Sequence, residues 1–156
     1  MTTSSTTNEI DTAGSSAGFT AEERAAMQDR AAEIKAAKRR GPKVGKADGE
    51  AELLAKIAAM NEQDRAMAER FHALLSAMPG DLTPQTYYGM PAYAKDGVVV
   101  CWFKPGGKFR MRYSTLGFSD KARLDDGDMW PSEFALQSWS EAVEARITEL
   151  VQRAIG

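Results

Sequence analysis

Eleven of the thirteen aromatic residues of this chain lie between Tyr87 and Trp139; only Phe19 and Phe71 come earlier. Aromatic side chains bury the most area per residue, so the packed core has to centre on that C-terminal stretch. A length of 156 residues allows one ordinary domain, or a smaller domain carrying a tail. The uneven distribution of aromatics favours the second arrangement.

The aromatic stretch reads as strands. Pro91 to Ala94, then Asp96-Gly97, then Val98 to Phe103 has the form of a hairpin, because Asp-Gly suits a tight primed turn. Val98-Val99-Val100-Cys101-Trp102-Phe103 is apolar on both faces, as a central strand is. After the turn residues Lys104 to Gly107, the run Lys108 to Tyr113 alternates. Phe109, Met111 and Tyr113 share one face of it, and Lys108, Arg110 and Arg112 the other. A short last strand is expected over Glu133 to Gln137.

Helical periods flank these strands. Thr20 with Glu23 forms a capping box, which opens an Ala-rich helix running to about Lys38. Its large apolar residues are only Met27 and Ile34, so it is expected to face solvent or dock lightly. Leu53, Leu54, Ile57 and Met60 share one face of a second helix. Asn61 caps a third, whose face carries Met67, Phe71, Leu74, Leu75 and Met78. Val143, Ile147, Leu150, Val151, Ala154 and Ile155 give a closing helix that starts near Ser138 or Ser140. The class is therefore α+β: an antiparallel meander of about four strands packed with helices, plus an extra N-terminal helix.

Charge divides the chain further. The 20 Lys+Arg and 22 Asp+Glu give a net charge of −2, but six of the bases fall without any acid between Lys35 and Lys46. These are Lys35, Lys38, Arg39, Arg40, Lys43 and Lys46, mixed with Gly41, Pro42 and Gly45. Such a run is either a solvated linker or an electrostatic arm for nucleic acid, anionic lipid or an acidic partner. No aromatic interleaves it to stack on bases. The expected organisation is a disordered Ser/Thr/Gly tail over residues 1–18, a helix over 19–40, a basic linker over 41–49 and a domain over 50–156. No stretch approaches the roughly eighteen unbroken apolar residues of a membrane span. The single cysteine, Cys101, excludes an intramolecular disulfide, and a reducing, cytoplasmic setting is the simple expectation.

Several residues are candidates for chemistry. His72 is the one histidine, so a multi-ligand zinc site is not to be expected. A His72–Cys101 nucleophile pair is conceivable, but a thiol in mid-strand between bulky neighbours fits inert core. Asp120, Asp125, Asp126 and Asp128 form the densest carboxylate group, and hard cations prefer such oxygen ligands. The same residues also suit an acidic turn that holds its own amides. Lys104-Pro105-Gly106-Gly107-Lys108 lacks the Walker spacing and joins two strands, so it reads as a turn. Lys108, Arg110 and Arg112 present a basic strand face, either an anion-binding surface or simply the solvated side of a sheet. No catalytic set is identified, and a non-enzymatic role is expected. Gly89 is placed to adopt a conformation other residues resist, and Met90-Pro91 imposes an extended path after it. Tyr87, Tyr88, Tyr93 and Trp102 then surround either an aromatic-lined cleft or a packed aromatic core.

The stretch Tyr87-Tyr88-Gly89-Met90-Pro91-Ala92-Tyr93, with Val99 to Phe103, Lys108 to Tyr113 and Ser114 to Asp120, resembles the YdhG-like family of small bacterial domains. Leu124 to Pro131, the closing helix and the opening Phe19 to Arg24 are similar to one branch of it. The resemblance covers roughly residues 50–155. It implies an antiparallel sheet covered by helices, and, by analogy with frataxin-like iron chaperones in that family, possession of an iron or other ligand site. The acidic ridge linked to iron binding is interrupted here, with Arg65 and Arg70 among Glu62, Asp64 and Glu69.

Overall fold

The structure, a computed structural model, describes residues 18–40 and 46–156. The expected tail through residue 17 and the centre of the basic run, Lys43 included, lie outside the described residues. In chain order the elements are α1 (Ala21–Arg40), α2 (Lys46–Ala58), α3 (Glu62–Ala77), β1 (Thr83–Tyr87), β2 (Met90–Lys95), β3 (Val98–Lys104), β4 (Ser114–Phe118), β5 (Glu133–Leu136) and α4 (Glu141–Ile155). The five strands lie in the order β1-β2-β3-β4-β5, each antiparallel to its neighbours. The α+β class and the meander are as the sequence implies, and β3 is central, as its two apolar faces require.

Two details of the sheet differ from expectation. β1, Thr-Pro-Gln-Thr-Tyr, carries no apolar alternation, yet it pairs with β2 through a two-residue turn at Tyr88-Gly89. Both turn residues have positive φ, 53° and 74°, the backbone of a primed hairpin turn. The Asp96-Gly97 turn between β2 and β3 has the same form, with φ of 52° and 80°. The second difference is Lys108–Tyr113, which is not a strand; β4 begins only at Ser114. Arg110 takes a positive φ of 54° in the middle of the run, which breaks any extended path.

Helices α2, α3 and α4 bury their apolar sides in one cluster against the sheet. Leu53, Ile57, Met67, Phe71, Leu75, Ile147 and Val151 meet Tyr93, Cys101, Phe103 and Leu116 there. Each fully buried side chain of this size is worth about 1.5–3 kcal/mol. Phe71 stands edge-on to Tyr93 at 5.4 Å and lies 6.2 Å from Phe103. Leu54 departs from the expected face of α2 and is 45% exposed, because the buried stripe is only Leu53, Ile57 and the half-buried Met60. Lys46 to Gly49, read with the linker in the sequence, open α2. Gly49 lets this helix press on β1, since a Cβ there would collide with the Pro84 carbonyl oxygen.

A buried carboxylate fixes the β3–β4 connection. Asn61 caps α3 and its Oδ1 accepts from the Asp64 N–H at 2.8 Å. Asp64, itself buried, accepts from Gly107 N–H at 2.9 Å, Ser114 Oγ at 3.0 Å and Asn61 Nδ2 at 2.9 Å. Ser114 Oγ in turn accepts from Gly106 N–H at 3.0 Å. Both ends of the loop are thus tied to the start of α3, and residues 107–113 loop outward instead of extending the sheet. Asp64→Ala leaves the buried Ser114 hydroxyl without its acceptor, at about 1–3 kcal/mol, while the exposed Gly107 and Asn61 can turn to water. The unfolding midpoint of this variant in urea should fall by an amount corresponding to about 1–3 kcal/mol, while Asp126→Ala, exposed on the β4–β5 connection, should leave the midpoint unchanged.

Candidate functional site

Helix α1 docks almost without apolar contact. Its inward stripe is the half-buried Glu22, Asp29, Arg30, Glu33 and Ala36 with the buried Ala26, a helical face at i, i+4, i+7, i+8, i+11 and i+14. Only Ala26 on it is an apolar residue buried in the fold. Glu33 accepts from the N–H groups of Tyr88 and Gly89 at 3.0 and 2.8 Å. Asp29 takes Lys56 on one oxygen and Lys108 on the other, at 3.4 and 3.3 Å. Arg30 lies 4.9 Å from the centre of the Tyr87 ring, and Glu22 pairs with Arg110 at 2.8 Å. The capping box expected at Thr20 and Glu23 is present, both bonds being 3.1 Å. The light docking foreseen for this helix is therefore made by charge.

Between α1 and the sheet lies a cleft of about 520 Å³. Tyr87, Tyr88, Met90, Trp102 and Phe109 line it from one side, and Phe19, Glu23, Ala26 and Met27 from the other. Lys104 and Glu133 stand among the charged groups at its wall. Trp102 lies across Gly117: a Cβ on that glycine would strike the indole ring, so the glycine gives the ring its seat. Tyr87 sits 5.8 Å from Trp102 and edge-on to Tyr88 at 4.7 Å. Lys104 Nζ lies 4.8 Å from the Phe109 ring centre, and among the described residues it makes no ion pair.

The structure brings Tyr87, Tyr88, Met90 and Trp102 of the sequence candidates to this cleft. Gly89 supplies the turn that aims the two tyrosines. Pro91 and Tyr93 are fully buried elsewhere, because alternate residues of β2 point to opposite faces. Arg110 is spent on Glu22, and the Arg112 guanidinium rests 5.4 Å from the Tyr113 ring centre; neither lines the cleft. Phe19, Met27, Lys104, Phe109 and Glu133 were not among the candidates. Phe19, one of only two aromatics outside the strand region, was the available signal.

Tyr93 joins a different group. His72 Nδ1 lies 2.9 Å from the Tyr93 hydroxyl, and His72 Nε2 lies 3.0 Å from Glu50 Oε1. The histidine thereby links α2, α3 and β2 and pairs with Tyr93 and Glu50, not with Cys101. Burial, with the neighbouring Cys101 and Glu50, raises the Tyr93 hydroxyl well above the ordinary tyrosine value. Burial alone pushes the Cys101 thiol up to about 12. Both groups are held protonated, which is the chemistry of core residues and not of nucleophiles.

Asp120, Asp125, Asp126 and Asp128 are all exposed on the β4–β5 connection. Among the described residues no three or more His, Cys, Asp or Glu side chains come together so as to hold a metal ion. The convergence of carboxylates that an iron site requires is not formed by these four aspartates. Lys35, Lys38 and Arg39 are exposed on the last turns of α1, where cations favour the negative end of a helix. Among the described residues no helix is long and apolar enough to cross a membrane. In comparisons with known proteins, no family model matches the chain, and no curated protein or solved structure matches it either.

The raised thiol pKa has a consequence for stability. A folded-state value above the ordinary 9.0 means that the folded chain keeps a proton the unfolded chain loses. The contribution is whole below pH 9.0 and disappears as pH rises towards about 12. Denaturation midpoints of the wild type should fall over that interval more steeply than those of Cys101→Ala. Equal slopes would show that the thiol does not carry the effect.

Proposed function

We propose that this chain is a non-catalytic binding domain whose ligand is a planar aromatic anion held in the cleft between α1 and the sheet. The observation that carries this reading is the seat of Trp102. Its ring rests on Gly117, with Tyr87, Tyr88 and Phe109 around an open space of about 520 Å³. Flat π-faces exposed in a concave site favour a stacked planar guest. Lys104, which has no carboxylate partner among the described residues, supplies the charge for its anionic group. The likeness of Tyr87 to Tyr93 to the YdhG-like signature enters the proposal through Tyr87, Tyr88 and Met90, which form the cleft wall. The frataxin-like iron role that the resemblance implies has no supporting cluster of acids among the described residues.

Anilinonaphthalene sulfonate is a suitable probe, since it joins a flat naphthalene ring to a sulfonate. The folded protein should bind it saturably, with quenching of tryptophan emission. Trp102→Ala and Lys104→Ala should each weaken binding about tenfold, the equivalent of one stacked ring or one paired charge. The uncharged analogue phenylnaphthylamine should be insensitive to the lysine change. Unaltered affinity for the sulfonate in both variants would overturn the proposal.

A further inference from the structure

The contacts that hold α1 have the form of ligand contacts. The β1–β2 turn presents two consecutive N–H groups, Tyr88 and Gly89, both on residues of positive φ. Successive amides pointing the same way form a concave anion-binding nest. Glu33 fills it with one oxygen on each N–H. Beside it, Lys56 and Lys108 converge from α2 and from the β3–β4 loop onto the single carboxylate of Asp29. Gly89 leaves the space for this: a Cβ there would strike both the Asp29 carboxylate and the Lys108 ammonium. The same Lys56, Lys108 and Gly89 open on a cavity of about 440 Å³ that also reaches Gly107 and Asn61.

We propose that the Tyr88–Gly89 amides together with Lys56 and Lys108 form a binding site for a diphosphate group, which α1 occupies with its own carboxylates until a ligand displaces it. Four donors of one character meet here from three separate parts of the fold. In the structure it takes two carboxylates, one helical turn apart, to satisfy them. That separation is about 6 Å on a helix, so a ligand must bring adjacent anionic groups to replace both. A diphosphate does so in one covalent unit, whose flexible bridge lets its two anionic ends adjust to the donors, and offers more acceptor oxygens than a carboxylate pair. Two other acids lie near the site. Asp64 on the cavity wall keeps its charge, with its oxygens turned to three neutral donors, and Glu52, which shares a small cavity with Asp29 and Lys56, already has a partner; Lys56 and Lys108 offset these two charges once Asp29 and Glu33 leave. Displacement of α1 is inexpensive because the helix buries one alanine and leaves Met27 and Ile34 38% and 44% exposed. The donors of this site lie apart from the aromatic cleft, but α1 is one wall of that cleft, so a ligand that displaces α1 also opens it.

The test is a titration of the full chain with pyrophosphate, followed by the backbone amide resonances of Tyr88 and Gly89. In the wild type those amides should shift at millimolar ligand, and hydrogen exchange along α1 should rise as the helix leaves. The double variant Asp29→Asn, Glu33→Gln removes the internal competitor, so pyrophosphate should bind it at least about tenfold more tightly. Adding Lys56→Ala and Lys108→Ala to that background should abolish the gain. Succinate, a carboxylate pair, should bind more weakly than pyrophosphate throughout. If the two amides stay unmoved by saturating pyrophosphate in both the wild type and the double variant, the proposal fails. It fails equally if loss of both lysines leaves affinity unchanged, or if succinate binds better. Should the double variant not fold, the wild-type amide shifts and α1 exchange decide alone.

Discussion

The Asp64 carboxylate is the point at which the two halves of the fold are fastened. It sits in the first turn of α3, where a helix N-terminus favours negative charge, and it gathers donors from Gly107, Ser114 and Asn61. Those bonds decide where β3 ends and where β4 begins. They thereby decide the register in which Trp102 faces Gly117 and Phe103 faces Leu116. A slip of one residue would turn Phe103 to the outside and Trp102 into the core. The aromatic cleft thus owes its floor to a polar interaction on the far side of the sheet.

The molecule uses two kinds of cohesion. Helices α2, α3 and α4 are held by apolar burial around Phe71 and Tyr93. Helix α1 is held by Glu22, Asp29, Arg30 and Glu33, each meeting a charge, an amide or a ring. Apolar burial is not screened by salt and is strengthened by kosmotropic salts, whereas exposed and half-exposed ion pairs weaken as salt rises. The two layers of the protein therefore respond to different solution conditions. The element that forms one wall of the cleft is the one whose attachment is electrostatic.

Much of this architecture is legible in the amino-acid order. The capping box at Thr20, the N-caps at Asn61 and Ser140, the Asp96-Gly97 turn and the central position of Val98 to Phe103 all rest on local rules, and local rules survive folding. What was not legible came from distance. Lys108 to Tyr113 has a clean period-two alternation, but Asp64, more than forty residues earlier in the chain, captures its flanks and bends it outward. β1 has a proline and no apolar face; it is a strand because β2 and α2 lie against it. Of the site, Tyr87, Tyr88, Met90 and Trp102 were readable as an aromatic group around Gly89. Tyr93 and Pro91 were separated from them by the pleat of a single strand. The docking stripe of α1 was invisible to an apolar pattern because it is written in carboxylates.

In the meander every strand pairs with its neighbour in sequence. Most of the sheet can therefore zip from two tight turns, Tyr88-Gly89 and Asp96-Gly97, with short loops to close. Low contact order of this kind goes with fast folding. Among the slow closures are the links that span the chain, such as Ser114 to Asp64, fifty residues apart, Lys108 to Asp29, and Lys95 Nζ to the Ile155 carbonyl at 2.7 Å. The link from Lys95 to Ile155, sixty residues apart, matters most for the end of the fold. It engages the last helical residue, one position before the end of the chain. During synthesis the hairpins can form as soon as their own residues emerge, but the clasp between β2 and the end of α4 must wait until α4 itself has been made.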